Sequence, residues 1–407
     1  MGYTKITIKG ISWVGGVRVV TRVISVARTA IVARILTPAD FGFFAIASIV
    51  LALVELITET GINIVLTQKK EEIDKYINTA WTVSIIRGFI ISAVIILSAP
   101  FVSSFFNSSQ TMGLIMLVSI VPLVRGFINP SVVKFIKDLE FRKEFIYRVS
   151  VFSVESIITI CWAYYFKNAE SLVMGLIIGA LFEVVMSFIL VRPLPKISFD
   201  KDKFLEVLNK GKWLTTTGIL NYAYGSGDDV VVGKILNATS LGLYDVAYRF
   251  SMLPITEVSD VVGKVTFPVY VKISEDVERL KKAYIKSLLL ISLISIFIGF
   301  TLIIFPEQII VIILGEKWLP AAPVLPVLAV VGMVRAIVFS ITVPLYALGM
   351  QNKMTVITLV SFLGMAISIV PMVISFGLLG AAYSALIGTV VTIPYVIYIS
   401  MNIFRKV

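Results

Sequence analysis

Apolar stretches separated by short polar, glycine or proline punctuation recur along the whole chain. They fall near residues 11–36, 41–66, 79–99, 111–132, 145–166, 171–191, 213–236, 242–270, 283–305, 320–348, 353–376 and 378–404. Each approaches the roughly 20 apolar residues that a helix needs to cross a bilayer. Lipid offers a bare backbone no hydrogen-bond partner, so runs of this kind predict helices and exclude open strands. The pattern therefore predicts an all-α integral membrane protein of about 12 transmembrane helices.

Composition removes the soluble alternative. Of 407 residues 58% are apolar and 15% charged, against about 25% charged in a soluble domain. Any site must then be intramembrane or built from short loops. The chain has no histidine and a single cysteine, Cys161, which removes the commonest general base and metal ligand and any intrachain disulfide. No metal site and no cofactor are expected. Met1–Gly10 carries Lys5 and Lys9 and lacks a small-residue cleavage site, so it reads as a start-transfer helix and not a removed signal peptide.

The net charge of +11 gains meaning from its distribution. Of the 36 Lys and Arg residues, 24 lie at the two termini or in alternate loops, including Lys69, Lys70, Lys134, Arg148, Lys203, Arg279 and Lys353, while the other loops hold only Lys167 and Lys317. The positive-inside rule then predicts both termini in the cytoplasm of a multi-pass inner (cytoplasmic) membrane protein, with no nucleic-acid partner. The remaining ten lie inside the apolar runs.

The longest charged connection, 192–212, divides the runs six and six. Its Phe199, Phe204, Leu205 and Leu208 amid lysines resemble an interfacial amphipathic helix. We read an amino-terminal lobe (1–191), this linker (192–212) and a carboxy-terminal lobe (213–407). An internal repeat supports the division. An offset of 200 places Val32–Leu36 on Val232–Leu236, with Arg34 on Lys234, Gly42 on Gly242, Phe44 on Tyr244 and Trp13 on Trp213; an offset of 210 places Val124-Arg125 on Val334-Arg335. Both lobes start on the same side, so the repeat predicts a pseudo-twofold axis along the membrane normal, an arrangement found in transporters.

Charges inside the runs are the candidate chemistry. Arg18, Arg22 and Arg28 share an arc of about 120° on the first helix, and one charge at the bilayer centre costs on the order of 2.5–3.5 kcal/mol. Either they pair with carboxylates or snorkel, or they line a wet cavity that attracts anions, where guanidinium forks suit phosphate. The eighth run presents Asp245, Arg249, Glu257, Asp260 and Lys264 within a similar arc. Glu55 and Glu59 share a face of the second; Glu155 and Glu183 lie in the fifth and sixth. In the seventh, Gly225 and Gly227 should weaken the helix beside Asp228 and Asp229. These acids either form salt bridges that hold one conformation or couple H⁺, Na⁺ or the membrane potential to movement. Arg125 and Arg335, each in the fourth run of its lobe, are expected to play equivalent parts, and prolines such as Pro122, Pro130 and Pro344 to bend helices or pack.

Three segments carry a resemblance: Arg34-Ile-Leu-Thr-Pro-Ala-Asp-Phe-Gly-Phe-Phe44, Ala247-Tyr-Arg-Phe-Ser-Met-Leu-Pro254, and Gly315-Glu-Lys-Trp318 followed by Ala321-Ala-Pro323. Together they resemble the polysaccharide-export (Wzx-type) oligosaccharide flippase branch of the MOP transporter superfamily. The resemblance implies two six-helix lobes in a V, alternating access, and movement of a polyprenyl-diphosphate-linked oligosaccharide to the outer leaflet. It implies no enzymatic step, a monomer, and membrane lipid, glycosyltransferases and a polymerase of the same pathway as partners. The family's cavity arginines carry over to Arg18, Arg22, Arg28 and Arg249. The related lipid II flippase has fourteen helices; about twelve here point away from peptidoglycan. Two alternatives stay open: a cation-coupled multidrug exporter of the same superfamily, using Glu55, Glu59, Asp228 and Asp229, and an intramembrane glycan polymerase or glycosyltransferase using Asp228-Asp229.

Overall fold

The computed structural model describes residues 3–58, 73–198, 200, 218–219 and 222–404. Glu59, Phe199 and the linker residues 201–212 lie outside the described residues. Regular structure among those described is helical throughout. The chain divides into two compact units, Met1–Tyr222 and Ala223–Val407. The stretch after Arg192 stays on the first unit: the Lys196 and Ser198 backbone N–H groups donate to Asn78 Oδ1 (2.9 Å) and Thr82 Oγ1 (3.0 Å).

The first unit contains α1 (Tyr3–Ile35), α2 (Pro38–Ile57), α3 (Ile73–Phe105), α4 (Ser109–Val118), α5 (Ile120–Arg125), α6 (Phe141–Phe166) and α7 (Glu170–Leu190). α6 packs between α1 and α7, and α3 packs on α4 and α5. The second unit contains α8 (222–235, from Ala223 onward), α9 (Ala238–Lys272), α10 (Val277–Ile304), α11 (Pro306–Ile313), α12 (Val324–Ala347), α13 (Gln351–Phe376), α14 (Leu378–Val390) and α15 (Ile393–Phe404). Its core forms around α12, which packs against α9, α10 and α14.

Eight helices among the described residues are long and apolar enough to cross a membrane, or nine if the bent pair Ser109–Arg125 and Pro130–Lys137 is one span. That pair turns by 73°, where the sequence predicts one run over 111–132. The break is built from buried polar groups, each given a partner. The Asn129 N–H donates to Ser187 Oγ (3.0 Å), its side-chain oxygen accepts from the Ser131 N–H (2.9 Å), and Asn129 Nδ2 and Ser131 Oγ donate to the Pro193 carbonyl. Pro130 supplies no N–H to continue α5. The long helices α1 and α9 are not among the eight, because their charges lower their hydropathy.

The 200-residue repeat has a local cause at its helix ends. Thr37 caps α2 by accepting from the Asp40 N–H, and Asp40 Oδ2 accepts from the Thr37 N–H (2.9 Å), a reciprocal capping box with Pro38 in the first turn. At the corresponding place Asn237 caps α9, accepting from the Ser240 N–H at 2.8 Å. The most family-like stretch of the sequence, from Arg34, is thus the end of one helix and the cap of the next. The Trp318 segment is a 3₁₀ helix, Glu316–Ala321, that buries Trp318 completely. In α8 the helix runs unbroken through Gly225 and Gly227.

Close helix crossings depend on glycine. A Cβ at Gly88 of α3 would sit 2.7 Å from the Pro122 carbonyl oxygen, and one at Gly126 2.9 Å from that of Ser84. Gly88→Leu should therefore destabilise the protein by about 1–3 kcal/mol through forced separation of α3 and α5. Gly113→Ala, where no atom lies within 4 Å, should be neutral or add up to about 1 kcal/mol. Thermal unfolding of both variants in detergent checks the contrast.

Candidate functional site

Of the four arginines of α1, Arg18, Arg22 and Arg28 are half-buried and Arg34 is exposed. Val19 (62% exposed), Val23 (63%), Val26 and Ile31 of the same helix are exposed and offer apolar surface suited to lipid, with Val19 and Val26 flanking Arg22 at i−3 and i+4. α1 carries no acid between Arg18 and Arg34, but α6 supplies one. Arg28 NH1 donates to Glu155 Oε1 at 2.5 Å, and the guanidinium lies 5.3 Å from the centre of the Phe152 ring. Glu155 is buried, and Gly179 of α7 makes the room: a Cβ there would meet Glu155 Cβ at 2.9 Å. The charge that one helix introduces is thus balanced by its neighbour and accommodated by a third.

A cavity of about 700 Å³ opens within the first unit. Its charged lining is Arg87 of α3, Arg125 of α5 and Arg148 of α6, with Glu55 of α2, Glu144 of α6 and Glu183 of α7. Arg148 Nε donates to Glu144 at 2.9 Å, and an Arg87 NH2 group donates to the Glu55 carbonyl at 2.7 Å. The other pairs are longer: Arg125 to Glu55 is 3.9 Å, Arg125 to Glu183 4.0 Å and Arg148 to Glu183 3.8 Å. Arg18, Arg22 and Arg28 are not among the residues lining this cavity.

In the second unit the candidates form a second cluster. Asp228 is buried and accepts from Tyr244 Oη at 2.8 Å; Asp229 beside it is half-buried. Arg335 of α12 donates to Tyr248 Oη at 2.7 Å and lies 4.8 Å from the centre of the Tyr224 ring. Tyr224 Oη in turn accepts from Ser361 Oγ at 2.7 Å. A cavity of about 240 Å³ lies here, lined by Tyr224, Asp260, Arg335, Ser361 and Thr389 among others. Arg249 is paired with Asp245 one turn earlier, at 2.9 Å. Glu257 is half-buried and Lys264 exposed, and neither lines this cavity. No three His, Cys, Asp or Glu side chains gather as metal ligands among the described residues.

Several of these residues were hidden in the sequence. Arg148 counts there as a loop charge, yet it belongs to α6 and the first cavity. Arg87 is a lone charge in an apolar run, and Tyr224, Tyr244 and Tyr248 look like ordinary interior aromatics. The signal that did exist was the repeat: Arg125 and Arg335 correspond at an offset of 210, and each lines the cavity of its own unit. For the Arg28–Glu155 pair, Arg28→Ala and Glu155→Ala should each destabilise the protein. The double variant should recover a coupling energy of about 0.5–3 kcal/mol in a double-mutant cycle of unfolding free energies.

The comparisons with known proteins agree with this architecture. The family model described as polysaccharide biosynthesis protein matches residues 31–323. The lipopolysaccharide biosynthesis protein WzxC of Escherichia coli K12 is 24% identical over 333 residues, covering 81% of this chain and 68% of its own. Among solved structures, the lipid II flippase MurJ in an inward closed conformation superposes with a TM-score of 0.78 at 17% identity, covering 96% of this chain and 89% of that one. An inward-facing multidrug resistance MATE family transporter of the MOP superfamily gives 0.70 at 14% identity, covering 95% of each. The structural likenesses establish a shared fold. The sequence match over most of the chain establishes the family, and this multi-pass membrane protein belongs to the polysaccharide biosynthesis proteins.

Proposed function

We propose that the chain is a flippase that carries a polyprenyl-diphosphate-linked oligosaccharide from the cytoplasmic to the outer leaflet, for cell-surface polysaccharide or glycan assembly. It moves its substrate by alternating access and changes no covalent bond in it. The observation that carries this reading is α1 itself, whose guanidinia at 18, 22 and 28 are half-buried while Val19, Val23, Val26 and Ile31 on the same helix are exposed. A lipid-linked sugar matches such a helix. Its diphosphate needs cations away from hydrocarbon, and its prenyl tail can stay in lipid. The WzxC likeness supports the same class of substrate, since that protein is named for lipopolysaccharide biosynthesis.

The reading assigns the diphosphate to Arg18 and Arg22 of α1. Asp228, Asp229 and Asp260 are assigned to coupling with H⁺, Na⁺ or the membrane potential. The protein works as a monomer of twelve helices in two six-helix lobes, in the inner membrane with both termini cytoplasmic. α1, α8 and α9 complete the count beyond the nine apolar spans. A lipophilic-cation exporter would need a net negative cavity, whereas the first unit's lining balances three arginines against three glutamates.

Two outcomes test this. Arg22→Ala should slow outer-leaflet appearance of the lipid-linked sugar in proteoliposomes about tenfold or more, the loss of one charge-assisted contact. Arg22→Lys should recover part of the rate, because charge remains while the fork is lost; normal rates in well-expressed Arg22→Ala protein would reject the assignment. For topology, Cys161 is exposed and must first be replaced by serine. Cysteines near Asn107 and Glu316 should then label from outside, and those at Lys70 and Lys203 only from inside; outside labelling at Lys203 in intact cells would reject the orientation.

A further inference from the structure

The first unit's cavity has a chemistry unlike that of the α1 arginines. Its six charged lining side chains, three guanidinia and three carboxylates, sum to no net formal charge. A diphosphate entering it would meet Glu55, Glu144 and Glu183; a cation would meet Arg87, Arg125 and Arg148. A guanidinium only donates hydrogen bonds and a carboxylate only accepts them, whereas a hydroxyl does both. A neutral polyol is the ligand that can satisfy such a lining.

The distances point the same way. Arg28–Glu155 and Arg249–Asp245, away from the cavity, are closed at 2.5 and 2.9 Å, and on its lining Arg148–Glu144 is closed at 2.9 Å. The pairs that centre on Arg125 and Glu183 are open: Arg125 and Arg148 stand 3.8–4.0 Å from Glu183 and Arg125 stands 3.9 Å from Glu55, beyond the reach of a direct N–H···O bond. A bridging hydroxyl fits between groups spaced in this way. Arg125 Nε is buried and has no hydrogen-bond partner among the described residues, although buried donors are ordinarily satisfied. Between the charges, Leu56, Ile91 and Ile128 offer apolar surface for the C–H faces of a sugar ring. A volume of about 700 Å³ lies within the range of small-molecule sites.

We propose that this cavity binds an uncharged sugar portion of the glycan, with Arg125 and Glu183 as its central hydrogen-bonding pair. The proposal rests on the flippase reading for the origin of the sugar, and on the cavity alone for the binding. Its test uses the full chain in lipid nanodiscs and a panel of neutral hexose and N-acetylhexosamine disaccharides, with saturation-transfer NMR as the readout. At least one disaccharide should bind the wild type. Arg125→Gln and Glu183→Gln should each weaken it tenfold or more at an unchanged melting temperature, and inorganic pyrophosphate should not displace it. Should one of these two fail to fold, Glu55→Gln takes its place with the same expected loss. Absence of binding by the whole panel, unchanged affinity in the folded variants, or displacement by pyrophosphate would each overturn the sugar site. Wild type that binds disaccharide but moves no lipid-linked oligosaccharide in proteoliposomes would strike the flippase reading and leave the sugar site standing.

Discussion

A guanidinium placed among membrane-spanning helices must find an acid, a polar ring or water inside the protein, because leaving it in hydrocarbon costs on the order of 2.5–3.5 kcal/mol even on a permissive scale. The packing around α1 follows from that requirement. Arg28 reaches Glu155 on α6, and Glu155 fits there because position 179 of α7 is glycine. Three helices are thereby set in register by one ion pair. Replacing any of the three residues alone would leave either an unpaired charge or a steric clash, which is the more damaging kind of change in a buried pair.

The two units solve the same problem with different partners. Arg125 and Arg335 occupy corresponding positions in the repeat. Arg125 faces carboxylates at 3.9 and 4.0 Å, so its partners are charged and slightly out of reach. Arg335 donates to Tyr248 and Thr389 and lies against the Tyr224 ring, so its direct partners are neutral groups, although Asp260 lines the same cavity. Repetition preserved the cation while its surroundings diverged. One unit therefore holds an open cavity of balanced charge, and the other a smaller pocket in which hydroxyls and rings are already bonded to one another.

This divergence suits a substrate with chemically distinct parts. A prenyl chain needs only an apolar surface, a diphosphate needs cations, and a glycan needs donors and acceptors in equal supply. On the proposed reading the chain provides these on separate features: the exposed valines of α1, its arginines, and the mixed lining of the first cavity. Separation also limits interference, since carboxylates that serve a sugar would repel a phosphate brought to the same atoms.

The sequence alone determined the class of structure. Runs of about 20 apolar residues admit only helices in lipid, so the all-helical membrane fold was legible, as were the repeat that sets Val32–Leu36 on Val232–Leu236 and the family itself. The charged helices were legible as well, because charge inside an apolar run is conspicuous. Their partners were not. Helical periodicity fixes which residues of α1 share a face, but it carries no information about which residue of α6 meets that face. Nor does it show that Arg148, read as a loop charge, turns into a cavity with Arg125 and Glu183. The break at Asn129 escaped for the same reason: an asparagine and a serine read as interruptions in an apolar run until Ser187 and the Pro193 carbonyl, about sixty residues away, supply their hydrogen bonds. Spacing along one helix is a local property written in sequence; pairing between helices is a long-range one, and only the packed tertiary structure decides it.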